Sequence, residues 1–288
     1  MVLQERKSTM SAISLITSIS QGHLNTWETC RRKYQYKYLE ELSLPEADLS
    51  SQEKLLLGAN FHLLMQQKEL GLDVSTLASS NIKLQKWLTA FENQPPQVIL
   101  GDRLCEHRRT LEIPKETPKE ISREMSLHHS QNSDRSQGYF VLTAIYDFLI
   151  LGDRQAQILD WKTHQVAITA KKLQANWQTR LYLYLLAKTT NYAPEQLSMT
   201  YWFANTAQSV IIPYSQFDYN QTEKKLQKIL KEINQAFEDG QDNSQGYPKL
   251  PLNSSTCKCC EFQDRCDRGE ILTGVITNSI DDIPEITI

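Results

Sequence analysis

The sequence predicts an α/β domain built on a central mixed sheet flanked by helices. Three observations carry this expectation. "YFVLTAIYDFLIL" (139–151) is apolar on both faces, as a strand covered from both sides must be. "AQILDWKTH" (156–164) follows it across the turn "GDRQ", which makes an antiparallel hairpin. Around the hairpin stand segments with apolar residues at helical spacing, such as Leu173, Trp177, Leu181 and Leu185.

In chain order, residues 1–17 read as an N-terminal tail. A helix is predicted from Gln21 to Leu42, with Ser20 as its N-cap. "SSQEKLLLGANFHLLMQQKEL" (50–70) is a second helix, and "IKLQKWLTAFEN" (82–93) a third, ended by Pro95 and Pro96. Residues 101–120 are mixed and resist assignment. "EISREMSLHH" (120–129) alternates like a strand, and the hairpin comes after the loop "QNSDRSQG". "TAKKLQANWQTRLYLYLLAKTT" (169–190) is one long helix. "SMTYWFAN" and "SVIIPY" are further strands, and "NQTEKKLQKILKEINQAFEDG" is an amphipathic helix ending at Gly240. The reading is one domain over 18–270, with a helical elaboration at about 53–112 and a polar tail at 271–288.

Composition sets limits on function. The 288 residues are 40% hydrophobic and 23% charged, an ordinary globular balance. The formal net charge of −3 leaves nucleic-acid contact to local basic patches. No apolar run reaches the roughly 20 residues of a membrane span. "MVLQERKSTM" lacks a secretory pattern. A reducing, cytoplasmic setting is expected. Clustered cysteines there more often hold metal or do redox work than form disulfides.

"CKCCEFQDRC" (257–266) places four of the chain's 6 cysteines in one short stretch. Cys257, Cys260 and Cys266 have the spacing C-x2-C-x5-C. A tetrahedral zinc site or an iron–sulfur cubane needs four ligands. The fourth must be Cys259 or come from elsewhere in the fold. Cys30, in "TCRRKYQYKY", is a candidate, although a free cysteine often serves as a small buried hydrophobe. The residues after it interleave Arg31, Arg32 and Lys33 with tyrosines, which suits a surface that tracks phosphates and equally suits a solvated amphipathic face.

The hairpin carries the strongest chemical signal. With its turn centred between Asp153 and Arg154, Asp147 faces Asp160, and opposed residues share a face. Lys162, two positions beyond Asp160, joins them. Two carboxylates crowded on an apolar hairpin repel each other, and a divalent cation such as Mg2+ or Mn2+ would offset that. In "GANFH", Gly58 and Ala59 share a helical face with His62 and allow it to approach the sheet. Gln178 and Tyr182 stand at i and i+4 on the next helix, side by side for gripping a phosphate or a base edge.

Taken in order, "CRRKYQYKY", "GANFH", "TAIYD", "LDWKT", "QTRLY" and C-x2-C-x5-C resemble the RecB-like branch of the PD-(D/E)XK nuclease superfamily. They are most similar to its iron–sulfur members, the CRISPR-associated adaptation exonucleases and AddB-type nuclease domains. The resemblance spans about residues 18–268 and implies a restriction-endonuclease-like core. It implies His62, Asp147, Asp160 and the Trp161 backbone carbonyl as ligands of Mg2+ or Mn2+, with Lys162 as catalytic lysine. Gln178 and Tyr182 match a motif beside the active site, and Arg31, Arg32 and Lys33 add DNA contacts. Cys30, Cys257, Cys260 and Cys266 match the ligands of a 4Fe–4S cluster that clasps the two ends of the domain. Two positions depart from the family pattern: Arg31 replaces a frequent proline, and Ala144 a usual glycine. Glu124 falls on a commonly acidic position. The implied activity is a metal-dependent deoxyribonuclease, an exonuclease on single-stranded or frayed DNA, in repair, recombination or defence, with a helicase as possible partner. The alternatives are a non-catalytic DNA-binding or scaffold subunit, and an unrelated α/β protein with a zinc module.

Overall fold

The computed structural model describes residues 16–42, 49–115, 138–239 and 246–268. A short strand, β1 (Ile16–Ile19), leads into α1 (Gln21–Thr29). Ser20 stands at the N-cap, and its N–H donates to His23 Nδ1 at 3.2 Å. The helix expected to reach Leu42 stops at Cys30, whose backbone is extended (φ −164°, ψ 117°). It resumes as α2 (Arg31–Tyr34) and a π-helical turn, Gln35–Leu39. Aromatic packing explains the break. Along a straight helix, residues 23 and 38 would be about 22 Å apart, yet the His23 and Tyr38 rings stack at 3.9 Å. The chain folds back at Cys30 to close that cluster, which also includes Trp27 against Tyr34.

Three helices follow: α3 (Leu49–Glu69), α4 (Ser75–Ser79) and α5 (Ile82–Asn93). Beyond them the predicted helical elaboration gives way to sheet. Asp102–Pro114 is strand β2, paired antiparallel along its whole length with β3 (Tyr139–Leu151). Among the described residues β2 pairs only with β3, and its own residues are half-buried or exposed. Its charged residues obscured the alternation. The strand predicted at 120–129 lies outside the described residues, and so does Glu124.

β4 (Ala156–Lys162) returns along β3 with Phe148 opposite Leu159 and Leu151 opposite Ala156. This is the predicted register as far as Phe148 and Leu159; Asp147 and Asp160 lie one step beyond, where the paired ladder ends. β5 (Leu197–Phe203) then runs parallel to β4, and β6 (Gln208–Pro213) antiparallel to β5. The connection between β4 and β5 is helical but not one helix. α6 (Ala170–Ala175) and α7 (Trp177–Thr189) are separated by extended Asn176 (φ −71°, ψ 145°). α8 (Gln216–Asp239) begins four residues earlier than the sequence pattern indicated. A short α9 (Ser255–Lys258) opens the cysteine segment.

The sheet carries a core on each face. On one side, α1, α7 and α8 supply Leu24, Leu181, Leu185, Leu226 and Ile233 against Leu142, Tyr146 and Ile158. On the other, α3, α4 and α5 supply Phe61, Leu64, Ala78 and Trp87 against Phe148, Leu159 and Trp202. β3 therefore has to be apolar on both faces, which is what made it legible as a central strand.

One detail of the sheet creates the site. β1 pairs with β3 at residues 139–142, whereas β4 pairs with it at 148–151. The two partners diverge from β3 on either side of a fork. Strand alternation breaks there as well. Tyr146 and Leu149 both enter the α7-side core, while Phe148 and Ile150 enter the α3-side core. In β2, the residue opposite this break is Glu106, held in the left-handed region at φ 47°.

Candidate active site

Asp147 lies at the fork, with its carboxylate in the space where β3 and β4 separate. Oδ2 accepts the Trp161 N–H at 2.8 Å, so a side chain replaces the backbone ladder at its last step. The same oxygen is 3.3 Å from His62 Nδ1, contributed by α3. Gly58, one turn before His62, lies against Thr163 just past the end of β4. This is the close helix–sheet approach expected from "GANFH". A Cβ on Gly58 would still meet Thr163 Oγ1 at an ordinary 3.5 Å, so the approach does not depend on glycine alone.

Asp160 and Lys162 occupy alternate positions of β4 and share a face. Lys162 Nζ is 2.7 Å from Asp160 Oδ2, and the Asp160 side chain is 3% exposed. Gln178, near the start of α7, completes the group. Its Nε2 donates to Asp160 Oδ1 at 2.6 Å, and its Oε1 accepts from Lys162 Nζ at 3.0 Å. The fork thus brings together His62, Asp147, Asp160, Lys162 and Gln178.

The electrostatics follow from this crowding. Burial would lower the His62 pKa, but the Asp147 carboxylate beside it, reinforced by Asp160, outweighs burial and raises it to about 9. For Asp147, burial would raise the pKa. The imidazole, Lys162 and the Trp161 N–H prevail, and the group stays ionised below the ordinary carboxylate range. A metal ion bound beside Asp147 would therefore compete with a proton on the imidazole.

Glu106 was not singled out by sequence reasoning. Its carboxylate, His62 and Asp147 present ligand atoms within 4.8 Å of one another. The register of β2 and β3 sets Glu106 opposite Asp147, and its left-handed backbone turns it into the fork. The only available signal was an acidic residue two positions from Leu104 in a segment that resisted assignment. Pairing it with Asp147 required knowing that 102–114 is a strand.

The side chains expected to contact DNA have these surroundings. Gln178 is 6% and Tyr182 3% exposed. The Gln178 amide faces Asp160 and Lys162, and the Tyr182 ring packs edge-on against Tyr146 at 5.3 Å. Their i,i+4 spacing turns both side chains inward, because α7 is buried on almost every side. Arg31 pairs with Glu232 at 2.7 Å and lies over the Trp27 ring; Lys33 pairs with Glu261 at 2.9 Å. Arg32 donates to Gln35 at 2.8 Å. Arg31 thus ties the N-terminal helices to α8, and Lys33 ties them to the cysteine segment.

Cys30, Cys257, Cys260 and Cys266 line one cavity, together with Arg32, Lys33, Lys249 and Arg268. Arg268 Nη1 donates to Cys257 Sγ at 3.0 Å, and its Nη2 to the Leu250 carbonyl. None of the six cysteines forms a disulfide; Cys259 is exposed and Cys105 lies in β2. The N-terminal helices and the cysteine segment meet beside the cavity, where Tyr36 packs on Phe262 at 5.5 Å and its hydroxyl donates to the Arg265 carbonyl.

A family model described as the PD-(D/E)XK nuclease superfamily matches residues 18–267. The chain belongs to the PD-(D/E)XK nuclease superfamily. A mixed sheet with two carboxylates and a lysine at the end of a hairpin is consistent with that membership, and His62, Glu106 and Asp147 form a group able to hold a divalent metal. Comparison with curated proteins gave no match. Among solved structures, the chain is similar to the crystal structure of SSO0001, at 14% identity and a TM-score of 0.37 over 89% of this chain and 87% of that one. No helix among the described residues is long and apolar enough to cross a membrane.

Proposed function

We propose that this chain is a Mg2+- or Mn2+-dependent deoxyribonuclease, an exonuclease on single-stranded or frayed DNA ends acting in repair, recombination or defence. The observation that carries this reading is the fork, where Asp147 next to His62 and Asp160 next to Lys162 converge at the end of one hairpin. His62, Glu106, Asp147 and Asp160 are the residues that would hold the metal, with the Trp161 carbonyl as a further ligand. Bound there, a divalent cation supplies Lewis acidity and an acidified water for phosphodiester hydrolysis. Lys162 places a cation beside that group, where negative charge develops on the phosphate. A non-catalytic subunit would have no need of the lysine, and here the lysine is bonded to both Asp160 and Gln178.

The reading includes a 4Fe–4S cluster on Cys30, Cys257, Cys260 and Cys266. The donor set fits: four thiols border one cavity, and arginine and lysine side chains around it suit an anionic cluster. The cysteines then clasp the two ends of one domain. Arg31, Arg32 and Lys33 act mainly in that clasp, while DNA and a helicase remain the proposed partners. The test is digestion of end-labelled single- and double-stranded DNA with Mg2+, Mn2+ or EDTA. Metal-dependent release of nucleotides from ends is expected; no cleavage under any metal would sink the proposal.

A further inference from the structure

We propose that Gln178 is a positioning residue whose side-chain amide fixes Asp160 and Lys162 in one relative orientation, and that it does not touch DNA. This rests on the reading of Asp160 and Lys162 as active-site groups. An amide has a donor end and an acceptor end. Here the acceptor takes the lysine ammonium at 3.0 Å and the donor serves the carboxylate at 2.6 Å. With the direct Lys162–Asp160 contact at 2.7 Å, the three groups form a closed ring. Rotating the amide by half a turn would set NH2 against an ammonium and C=O against a carboxylate. The charges of the pair therefore dictate one orientation.

The start of α7 is built to keep Gln178 in place. The chain is extended at Asn176, and the Asn176 side chain caps the new helix by accepting the Gln178 N–H at 2.8 Å. Had 169–190 been one helix, Gln178 would have no such cap. Its neighbours are bonded too. Trp177 Nε1 donates to Glu28 at 2.7 Å, and the Thr179 hydroxyl lies 2.6 Å from both the Leu173 carbonyl and the Tyr201 hydroxyl. Tyr201 also lies beneath the Lys162 ammonium, 5.6 Å from ring centre to Nζ. Lys162 is thus held by Asp160, Gln178 and an aromatic face together. The amide faces the pair and the residue is 6% exposed, which leaves a phosphate little access to it.

Two substitutions test this. Gln178→Met removes both hydrogen bonds at nearly constant volume. Gln178→Glu keeps the acceptor for Lys162 but sets a carboxylate oxygen against Asp160, where the charges repel. The first measurement is kcat and KM on end-labelled single-stranded DNA with Mn2+. Both variants should lose about 100-fold in kcat, the scale of a small misplacement of reacting groups, with KM within about twofold. The second is the rate at which Lys162 in the metal-free protein is acylated by an N-hydroxysuccinimide ester, read by mass spectrometry. Losing a hydrogen bond to a charged group should speed acylation in Gln178→Met about tenfold. A raised KM with unchanged kcat would make Gln178 a substrate contact and overturn the proposal. Unchanged acylation would overturn it as well. Should the wild-type protein cleave no DNA, the functional reading fails, and the acylation rate still decides whether the amide holds the pair.

Discussion

At the fork in the sheet, Asp147, Asp160 and Lys162 come from two strands joined by the turn at 152–155, and His62 comes from a helix packed across them. Around the cysteine cavity, Cys30 comes from a break between helices near one end of the chain, and its three companions from short turns near the other. The first site is walled by two hydrophobic cores, and its like charges are balanced internally by His62, Lys162 and Gln178. The second is half-buried and bordered by basic side chains. The difference teaches what each site needs. Sheet geometry assembles the carboxylates from one hairpin, whereas the thiols are brought together by contacts between distant segments, Tyr36 on Phe262 and Lys33 with Glu261.

The sharpest break in this comparison is at Asp160. Asp160→Asn keeps the shape of the side chain and removes its charge, so the fold should survive with cleavage reduced by at least about a thousandfold, the scale expected when a residue at a reacting centre is lost. Lys162→Ala should do the same. The checks are end-labelled DNA digestion and a thermal melt of the same samples. A folded Asp160→Asn protein that cleaves like wild type would remove the hairpin from the chemistry.

At the cysteine cavity the order of effects should reverse, with stability lost first. Cys30→Ala and Cys266→Ala should each lose iron and lower Tm on the order of 10 °C, because a group joining both ends closes nearly the whole chain. Cys105→Ala should keep its iron, since Cys105 lies in β2 away from the cavity. Iron content and Tm, measured anaerobically, decide the matter. Full iron in Cys30→Ala would mean that exposed Cys259 supplies the fourth ligand, and the two-ended clasp would be wrong.

The aromatic cluster that folds the chain back at Cys30 gives a pH test of the same end. Burial, with help from Lys37, lowers the His23 pKa to about 4, and its Nδ1 accepts from Ser20. The neutral imidazole is the form the fold prefers. Stability from this group is therefore fully present above its unfolded pKa near 6.5 and is lost as pH falls toward 4. The loss should be of order 3 kcal/mol at most. Denaturant melts between pH 7 and pH 4 should show it in wild type and not in His23→Phe, where no proton is taken up. An equal pH slope in both proteins would assign the acid sensitivity to carboxylates elsewhere.

Much of this was legible because local patterns and tertiary structure agree. The doubly apolar run at 139–151 had to be a covered strand, and the turn at 152–155 fixed the register that pairs Phe148 with Leu159, one step short of Asp147 and Asp160. Helices were legible where a single stripe is buried, as in α5. What escaped was set by distant contacts. The break at Cys30 answers ring stacking between residues 15 apart. The break at Asn176 places Gln178 on charges that belong to another element. Strand β2 has no fully buried residue and carries charges on its exposed positions, so its pattern resembled a loop, and Glu106 went unseen with it. Gln178 and Tyr182 were found by spacing, but spacing does not say which way a helix face turns.

Glu106 allows the smallest and most discriminating test, because its two properties should respond in opposite directions. A non-glycine residue at φ 47° bears strain of about 1 kcal/mol. Glycine adopts that backbone freely, so Glu106→Gly should raise stability slightly, by up to about 1 kcal/mol in a denaturant melt. The same change removes a carboxylate from the group formed with His62 and Asp147. Mn2+ affinity, measured by calorimetry without DNA, should fall about tenfold, a typical effect of losing one supporting group at a metal site. Glu106→Gln separates the two effects, keeping the strain and losing the charge: it should bind Mn2+ as weakly as Glu106→Gly with no gain in stability. If both variants bind Mn2+ as wild type does, Glu106 is only a strained position of β2, and the metal group reduces to His62 with the two aspartates.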